Sequence, residues 1–208
     1  MEYDYAIRKI TVKIIDRLYD NGNLDKAALA SLRSAATITS QRAQGVWPLL
    51  MKYLPEQFLS KNGEPTIGEI AVFAAIRLYA IQQQGKDELV CGDSTKKKAK
   101  DNAEADGVSL FTALAKLRAN EDVRVALDRR IQPLLATNNI ASVINSLTHL
   151  VEIQKATNQA MKIDYPLLAQ DLYDFQTNYH RAGKVRLSWG EQYFKVNNSN
   201  SIKGEEND

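Results

Sequence analysis

From Ile70 to Ile81 the only charged side chain is Arg77, and Ile70, Val72, Phe73, Ile76, Leu78, Tyr79 and Ile81 point all round a helix. A helix that is apolar on every side offers no face to water, so the rest of the chain has to wrap it. The run is well short of the roughly 20 residues needed to cross a bilayer. Its start is equally definite. Thr66-Ile67-Gly68-Glu69 has the Thr-x-x-Glu form of a capping box, in which each side chain satisfies a free backbone donor of the other residue. Gly85 ends it.

The remaining periodicity is helical almost throughout. Ile7, Ile10, Ile14, Ile15 and Leu18 form one face of a first helix, which Asn21-Gly22-Asn23 stops. A second runs from about Leu24 to Ala36 with Ala28, Leu32 and Ala35 inward. Trp47 to Leu54 reads as a short helix bracketed by Pro48 and Pro55. Ser109 caps a segment carrying Leu110, Leu114 and Leu117, and Asn120 caps the next, with Val123, Leu127, Ile131 and Leu134 inward. Ile140, Val143, Ile144, Leu147, Leu150 and Val151 give a long helix. Asp164-Tyr165-Pro166 opens another, continued by Leu168, Leu172, Phe175 and Tyr179 until Gly183. Val185, Leu187 and Trp189 alternate like a strand, but one short strand has no evident partner.

The expected class is therefore all-α, a helical bundle in two lobes joined by a lysine-containing connector. The boundaries fall at 1–86, 87–107 and 108–196, with 197–208 a polar, disordered tail. The connector contains Gly92 and Gly107, the lysines Lys96, Lys97, Lys98 and Lys100, and at least as many acids. It reads as a solvated linker or as a phosphate-gripping loop. An acidic start without an apolar segment, and a single cysteine, point to a cytoplasmic protein.

Enzyme chemistry finds no foothold. His149 and His180 stand far apart, without Cys or Glu at metal-ligand spacing. No phosphate-binding glycine motif is present. Asp20-Asn21-Gly22-Asn23-Leu24-Asp25 lacks the later glutamate of a calcium loop. Asp171 and Asp174 share a helix face, and Cys91 has no nearby histidine. No cofactor is expected. Net charge is only +2, but residues 181–195 carry Arg181, Lys184, Arg186 and Lys195 against Glu191 alone, so folding can build a basic face.

Several segments carry a resemblance. Leu32-Arg33-Ser34-Ala35-Ala36 comes first, then Ala71-Val72-Phe73-Ala74-Ala75-Ile76-Arg77-Leu78-Tyr79-Ala80 with Gln82-Gln83-Gln84-Gly85. Gly107-Val108-Ser109-Leu110, Arg129-Arg130-Ile131 and His149-Leu150-Val151 follow. Val185-Arg186-Leu187 before Trp189-Gly190-Glu191-Gln192-Tyr193-Phe194 closes the pattern. In this order, across roughly residues 24–196, they resemble the CasB family, the small subunit of the type I-E Cascade complex of bacterial CRISPR immunity. Ile131 departs from it, standing where the family pattern carries an aromatic. The resemblance implies a non-catalytic helical subunit, present as a pair. It would contact other Cascade subunits, the CRISPR RNA, the target DNA and the displaced DNA strand. No membrane partner is implied.

Such a role needs Lys and Arg aimed at phosphates rather than a base-reading helix. The candidates are Arg33, Arg42, Lys116, Arg118, Arg124, Arg129, Arg130, Lys184 and Arg186. Arg33 lies away from the inward face of its helix. Arg42 sits beside Gln41 and Gln44. Lys116, Arg118 and Arg124 flank the turn at Asn120. Arg130 falls on the family's basic helix position. Lys184 and Arg186, read as extended, point opposite to Val185 and Leu187. Arg77 is expected to pair with a buried acid, and Trp47 and Trp189 to pack in the core. The rival expectation is a helical scaffold acting only through protein–protein contacts.

Overall fold

A computed structural model describes residues 5–95, 105–157 and 161–195. The connector lysines Lys96, Lys97, Lys98 and Lys100, and the tail from 197, lie outside them. The described residues form nine helices. They are α1 (Ala6–Tyr19), α2 (Lys26–Ser34), α3 (Trp47–Tyr53), α4 (Ile67–Gln83), α5 (Leu110–Arg118), α6 (Glu121–Ala136), α7 (Ile140–Ala156), α8 (Tyr165–Thr177) and α9 (Tyr179–Phe194). The all-α expectation holds.

Local chemistry sets most of the starts. The Thr66 hydroxyl accepts from Glu69 N at 3.1 Å, while Thr66 N donates to Glu69 Oε2 at 2.8 Å, which completes the capping box of α4. Ser109, Asn120, Asn139 and Asp164 each accept a backbone N–H at the head of α5, α6, α7 and α8. The stop after α1 is a left-handed run, Asp20 (φ 44°), Asn21 (φ 53°) and Gly22 (φ 96°).

The apolar helix α4 lies at the centre, packed by α1, α2, α7 and α8. Ala71, Ala74, Ala75 and Ala80 are buried along it and let its neighbours approach closely. Buried side chains from Ile7 to Tyr193 join in one core, so residues of both expected lobes share it. Helix α8 makes this possible by packing on α1 and α4 as well as α9. At the far end Trp189 is wholly buried, with Phe111 and Phe175 stacked on it at 4.8 and 6.2 Å.

The apparent alternation at 185–189 is not a strand. Asn178 breaks the chain with extended backbone (φ −166°, ψ 167°) and caps α9 by accepting from Arg181 N. Gly183 then lies inside α9, and the buried set is Ala182, Val185, Trp189 and Tyr193, at helical spacings of three and four. Leu187 is 64% exposed. Lys184 and Arg186 therefore diverge by about 200° instead of sharing a face.

Both described ends of the connector are pinned. Cys91 and Val108 bridge to Ile163, and Ile163 N donates to Val90 O at 2.9 Å. Gly92 and Gly107 cross backbone on backbone. A Cβ on Gly92 would meet Asp106 O at 2.6 Å, and one on Gly107 would meet Gly92 C at 2.5 Å, so no side chain fits at either. Beside this crossing the Asp164 side chain is fully buried. It accepts from Arg8 Nη2 at 2.7 Å, from Ser94 N and Oγ at 2.8 and 2.7 Å, and from Leu167 N at 2.8 Å. Asp164→Ala strands these donors and removes the α8 cap. We expect a loss of about 3 kcal/mol, or roughly 6–12 °C in Tm for a chain of this size. A thermal melt unchanged within 2 °C would show that the cluster is incidental to stability.

Candidate nucleic-acid interface

His149 is exposed, 3.4 Å from Glu152 on the same helix, and His180 is exposed near the start of α9. Burial pushes the Cys91 thiol up to about 12, far from a reactive thiolate at neutral pH. Asp171 accepts from Trp189 Nε1 at 2.8 Å, and burial raises its carboxyl to about 7. Its helix neighbour Asp174 pairs with Arg181 at 2.7 Å. Among the described residues no group of three His, Cys, Asp or Glu could hold a metal ion.

The basic candidates divide by what they touch. Arg118 is engaged internally. Its Nε lies 2.8 Å from Asp128 Oδ1, and its guanidinium sits 5.5 and 5.3 Å from the ring centres of Tyr193 and Phe194. The Tyr193 hydroxyl donates to the same Asp128 oxygen at 2.8 Å. This hydrogen bonding raises Arg118 above its ordinary pKa and lowers that of Asp128. Arg124 makes an exposed pair with Glu121 at 3.2 Å. Arg130 donates to Ala126 O at 2.9 Å. Arg186 donates to Thr137 O at 3.2 Å and to Asn138 Oδ1, and lies 5.8 Å over the Tyr179 ring. Arg42, Lys116, Arg129 and Lys184 are exposed. Lys184 borders a hollow that also contains Asp171, Asp174 and Arg181, so its surroundings are of mixed sign.

Arg33 has different company. It lies in the last turn of α2 and reaches the last turn of α4, with Nη1 3.5 Å from Ala80 O. The Lys155 ammonium, from the last turn of α7, donates to Gln84 Oε1 at 2.9 Å just beyond α4. Lys155 is held below its ordinary pKa by partial burial and by the positive charges of Arg33 and Lys86, against a smaller opposite pull from Glu152. Arg33, Lys86 and Lys155 thus converge at the C-terminal end of α4, where the helix dipole favours cations. Among the described residues none of the three forms a salt bridge.

Buried glutamines build this corner. Gln82 donates to Gln154 Oε1 at 2.9 Å and accepts from the Tyr165 hydroxyl, which joins α4 to α7 and α8. Gln83 donates to Lys86 O and Glu88 O at 2.8 and 2.9 Å and accepts from Val90 N at 3.2 Å, which shapes the turn bearing Lys86. Only Gln84 faces solvent, and it meets Lys155. Sequence reading found Arg33 but missed Lys86 and Lys155. A lysine four residues past the 140–151 helical pattern and one just after Gly85 were the available signals, and only tertiary packing unites them.

The family model for the CRISPR-associated protein Cse2 matches residues 28–194. Among solved structures, CasB from Thermobifida fusca is similar at 22% identity and TM-score 0.64, covering 90% of this chain and 97% of its own. A CRISPR-associated protein of the Cse2 family from Thermus thermophilus is similar at 19% identity and TM-score 0.58, covering 91% and 98%. CasB from Thermus thermophilus follows at 20% identity and TM-score 0.56, covering 89% and 98%. No curated protein sequence matches the chain.

The corner at the end of α4 has a direct electrostatic signature. Replacing Arg33 with Gln removes one positive neighbour, so the Lys155 ammonium should keep its proton to higher pH. A carbon-detected NMR titration of the lysine side chains measures this. An unmoved Lys155 titration would show that the two charges do not share a field.

Proposed function

The chain belongs to the Cse2 family of CRISPR-associated proteins, and on that premise we propose that it is the non-catalytic small subunit of a type I-E Cascade surveillance complex. In this reading it binds nucleic-acid backbone, helps to hold the target and displaced strands of the R-loop, and bridges other subunits. The observation that carries it is the convergence of Arg33, Lys86 and Lys155 without a salt bridge among the described residues. Like charges held close repel one another, and a phosphate placed between them relieves that repulsion. Exchanging a DNA duplex for an RNA–DNA hybrid is nearly balanced in energy, so a few such contacts can tip it. Sequence choice then rests on RNA pairing, and the fold needs no base-reading element.

Arg42, Lys116, Arg129 and Lys184, exposed on other helices and turns, are proposed as further backbone contacts. Arg124, Arg130 and Arg186 would have to exchange existing partners for phosphate. A second copy in the same complex would multiply each weak contact. The CRISPR RNA, the target DNA, the displaced strand and neighbouring Cascade subunits are the proposed partners, and the cytoplasm the proposed location. No helix among the described residues is long and apolar enough to cross a membrane.

The rival reading, a scaffold that touches only protein, draws on Arg118. A guanidinium bound to Asp128 and laid on two rings is a structural fixture.

Arg33→Glu with Lys155→Glu separates the two readings. In the assembled complex, target-DNA affinity measured by gel shift should fall at least ~10-fold. The slope of log affinity against log salt should shrink by roughly 1.4–1.8, the contribution of two phosphate contacts. Wild-type affinity and slope in a variant that still assembles would favour the scaffold.

A further inference from the structure

Arg77 is expected to meet a buried acid, and among the described residues it forms no salt bridge. Its Nη1 donates to Thr148 Oγ1 at 2.8 Å, and that hydroxyl donates onward to Ile144 O at 2.9 Å. The Arg77 Nε is buried and has no partner. Glu152, one turn along α7 from Thr148, pulls the pKa of the guanidinium up, but burial is the larger influence and lowers it. Arg77 is half-buried, so its shielded Nε goes without compensation while the rest of the guanidinium stays within reach of water or of a partner. By comparison, Arg8 is held by the carboxylates of Asp93 and Asp164.

The surroundings explain where a partner would come from. Arg77 borders a groove of about 430 Å³ between α4, the first half of α7 and the segment 36–39. The groove walls include Ile38, Ile70, Phe73, Ile140 and Ile144. A second hollow of about 470 Å³ is lined by Trp47, Leu50, Met51 and Leu59. The two hollows lie side by side, with Ile38, Thr39 and Pro65 lining both, and this adjoining apolar pair is the trough; Arg77 borders the first of them. Met51, on the wall, is 58% exposed.

We propose that this trough is a protein-docking groove. It receives a segment of a partner subunit whose aliphatic side chains cover the isoleucine walls and whose Asp or Glu carboxylate pairs with Arg77. The charge and the walls together select this occupant. A sugar-phosphate strand laid here would lose hydration of its phosphates against isoleucine. A peptide buries aliphatic surface and brings one carboxylate, which an arginine fork binds in two parallel hydrogen bonds. The inference rests on the reading that the chain works inside a multisubunit complex. It assigns the groove to protein and leaves nucleic acid to the α4 end.

The test uses the full chain reconstituted with the other Cascade subunits and CRISPR RNA. Retention of the small subunit is followed by size-exclusion chromatography. Arg77→Met should weaken retention ~10-fold or more, the value of one charge-assisted contact, and Arg77→Lys should weaken it less. The isolated Arg77→Met protein should melt no lower than wild type, because it removes a poorly compensated cation. In parallel, a photo-crosslinking benzoylphenylalanine at Asn145, on the groove lining, should capture a peptide of another subunit that contains Asp or Glu. Undiminished retention of Arg77→Met alongside wild type would overturn the groove alone. Capture of RNA or DNA, or no capture, would do the same without depending on the folding of the Arg77 variant. Failure of wild type to enter the complex would remove the subunit reading and the groove with it.

Discussion

The Asp164 carboxylate lies wholly inside the protein, and four donors from three separate segments surround it. Arg8 belongs to α1, Ser94 to the connector and Leu167 to the first turn of α8. A buried carboxylate tolerates almost no loss of partners, so these three segments are constrained to meet at one point. That meeting sets where α8 begins. It therefore also sets how α8 lies against α1 and α4, the packing that joins the two ends of the chain. The crossing of Gly92 and Gly107 serves the same point, since a side chain on either would hold the connector away from Ile163.

From that anchor the polar edge of α4 is positioned. Apart from Glu69 in its first turn and Arg77 in its middle, the helix is apolar until its end, where Gln82 and Gln83 close it and Gln84 follows. Successive residues on a helix point about 100° apart, so three glutamines in a row serve three surroundings. Gln82 meets α7 and α8, Gln83 meets the following turn, and Gln84 meets water and Lys155. Amides suit this place because each both donates and accepts without bringing a charge into the core. The net effect is a hydrogen-bonded corner around which Arg33, Lys86 and Lys155 lie close enough to feel one another's charge.

Sequence reading recovered what local chemistry decides. Thr66, Ser109, Asn120 and Asp164 read as helix caps because the hydrogen bonds that make a cap lie within three residues. The central helix was legible because a run with one charge cannot face water. The failures have equally physical causes. Val185, Leu187 and Trp189 imitate a strand, and Gly183 imitates a helix end. The competing pattern of Ala182, Val185, Trp189 and Tyr193 needs the Asn178 cap to become visible. The cation corner joins residues 33, 86 and 155, and no spacing rule connects them. The missing partner of Arg77 was equally hidden, because a hydroxyl on α7 replaces the expected acid.

The arginines of this protein differ most in what already holds them, and that difference orders their uses. An exposed pair such as Arg124 with Glu121 is worth about 0–1 kcal/mol, so a phosphate can replace the carboxylate with little loss. Arg118 is another matter. Giving up Asp128 would break contacts to a carboxylate that also anchors the Tyr193 hydroxyl, and would lift the guanidinium from two rings. Contacts of that kind reinforce one another when they share atoms, so Arg118 resists recruitment even though its sequence position beside Lys116 looks equivalent to any basic surface site. Arg33 and Arg77 stand at the other extreme, each holding a neutral oxygen and, among the described residues, no acid. Arg33 does so among other cations near solvent, which favours a chain of phosphates. Arg77 does so against isoleucine walls, which favours a single carboxylate carried on an apolar segment.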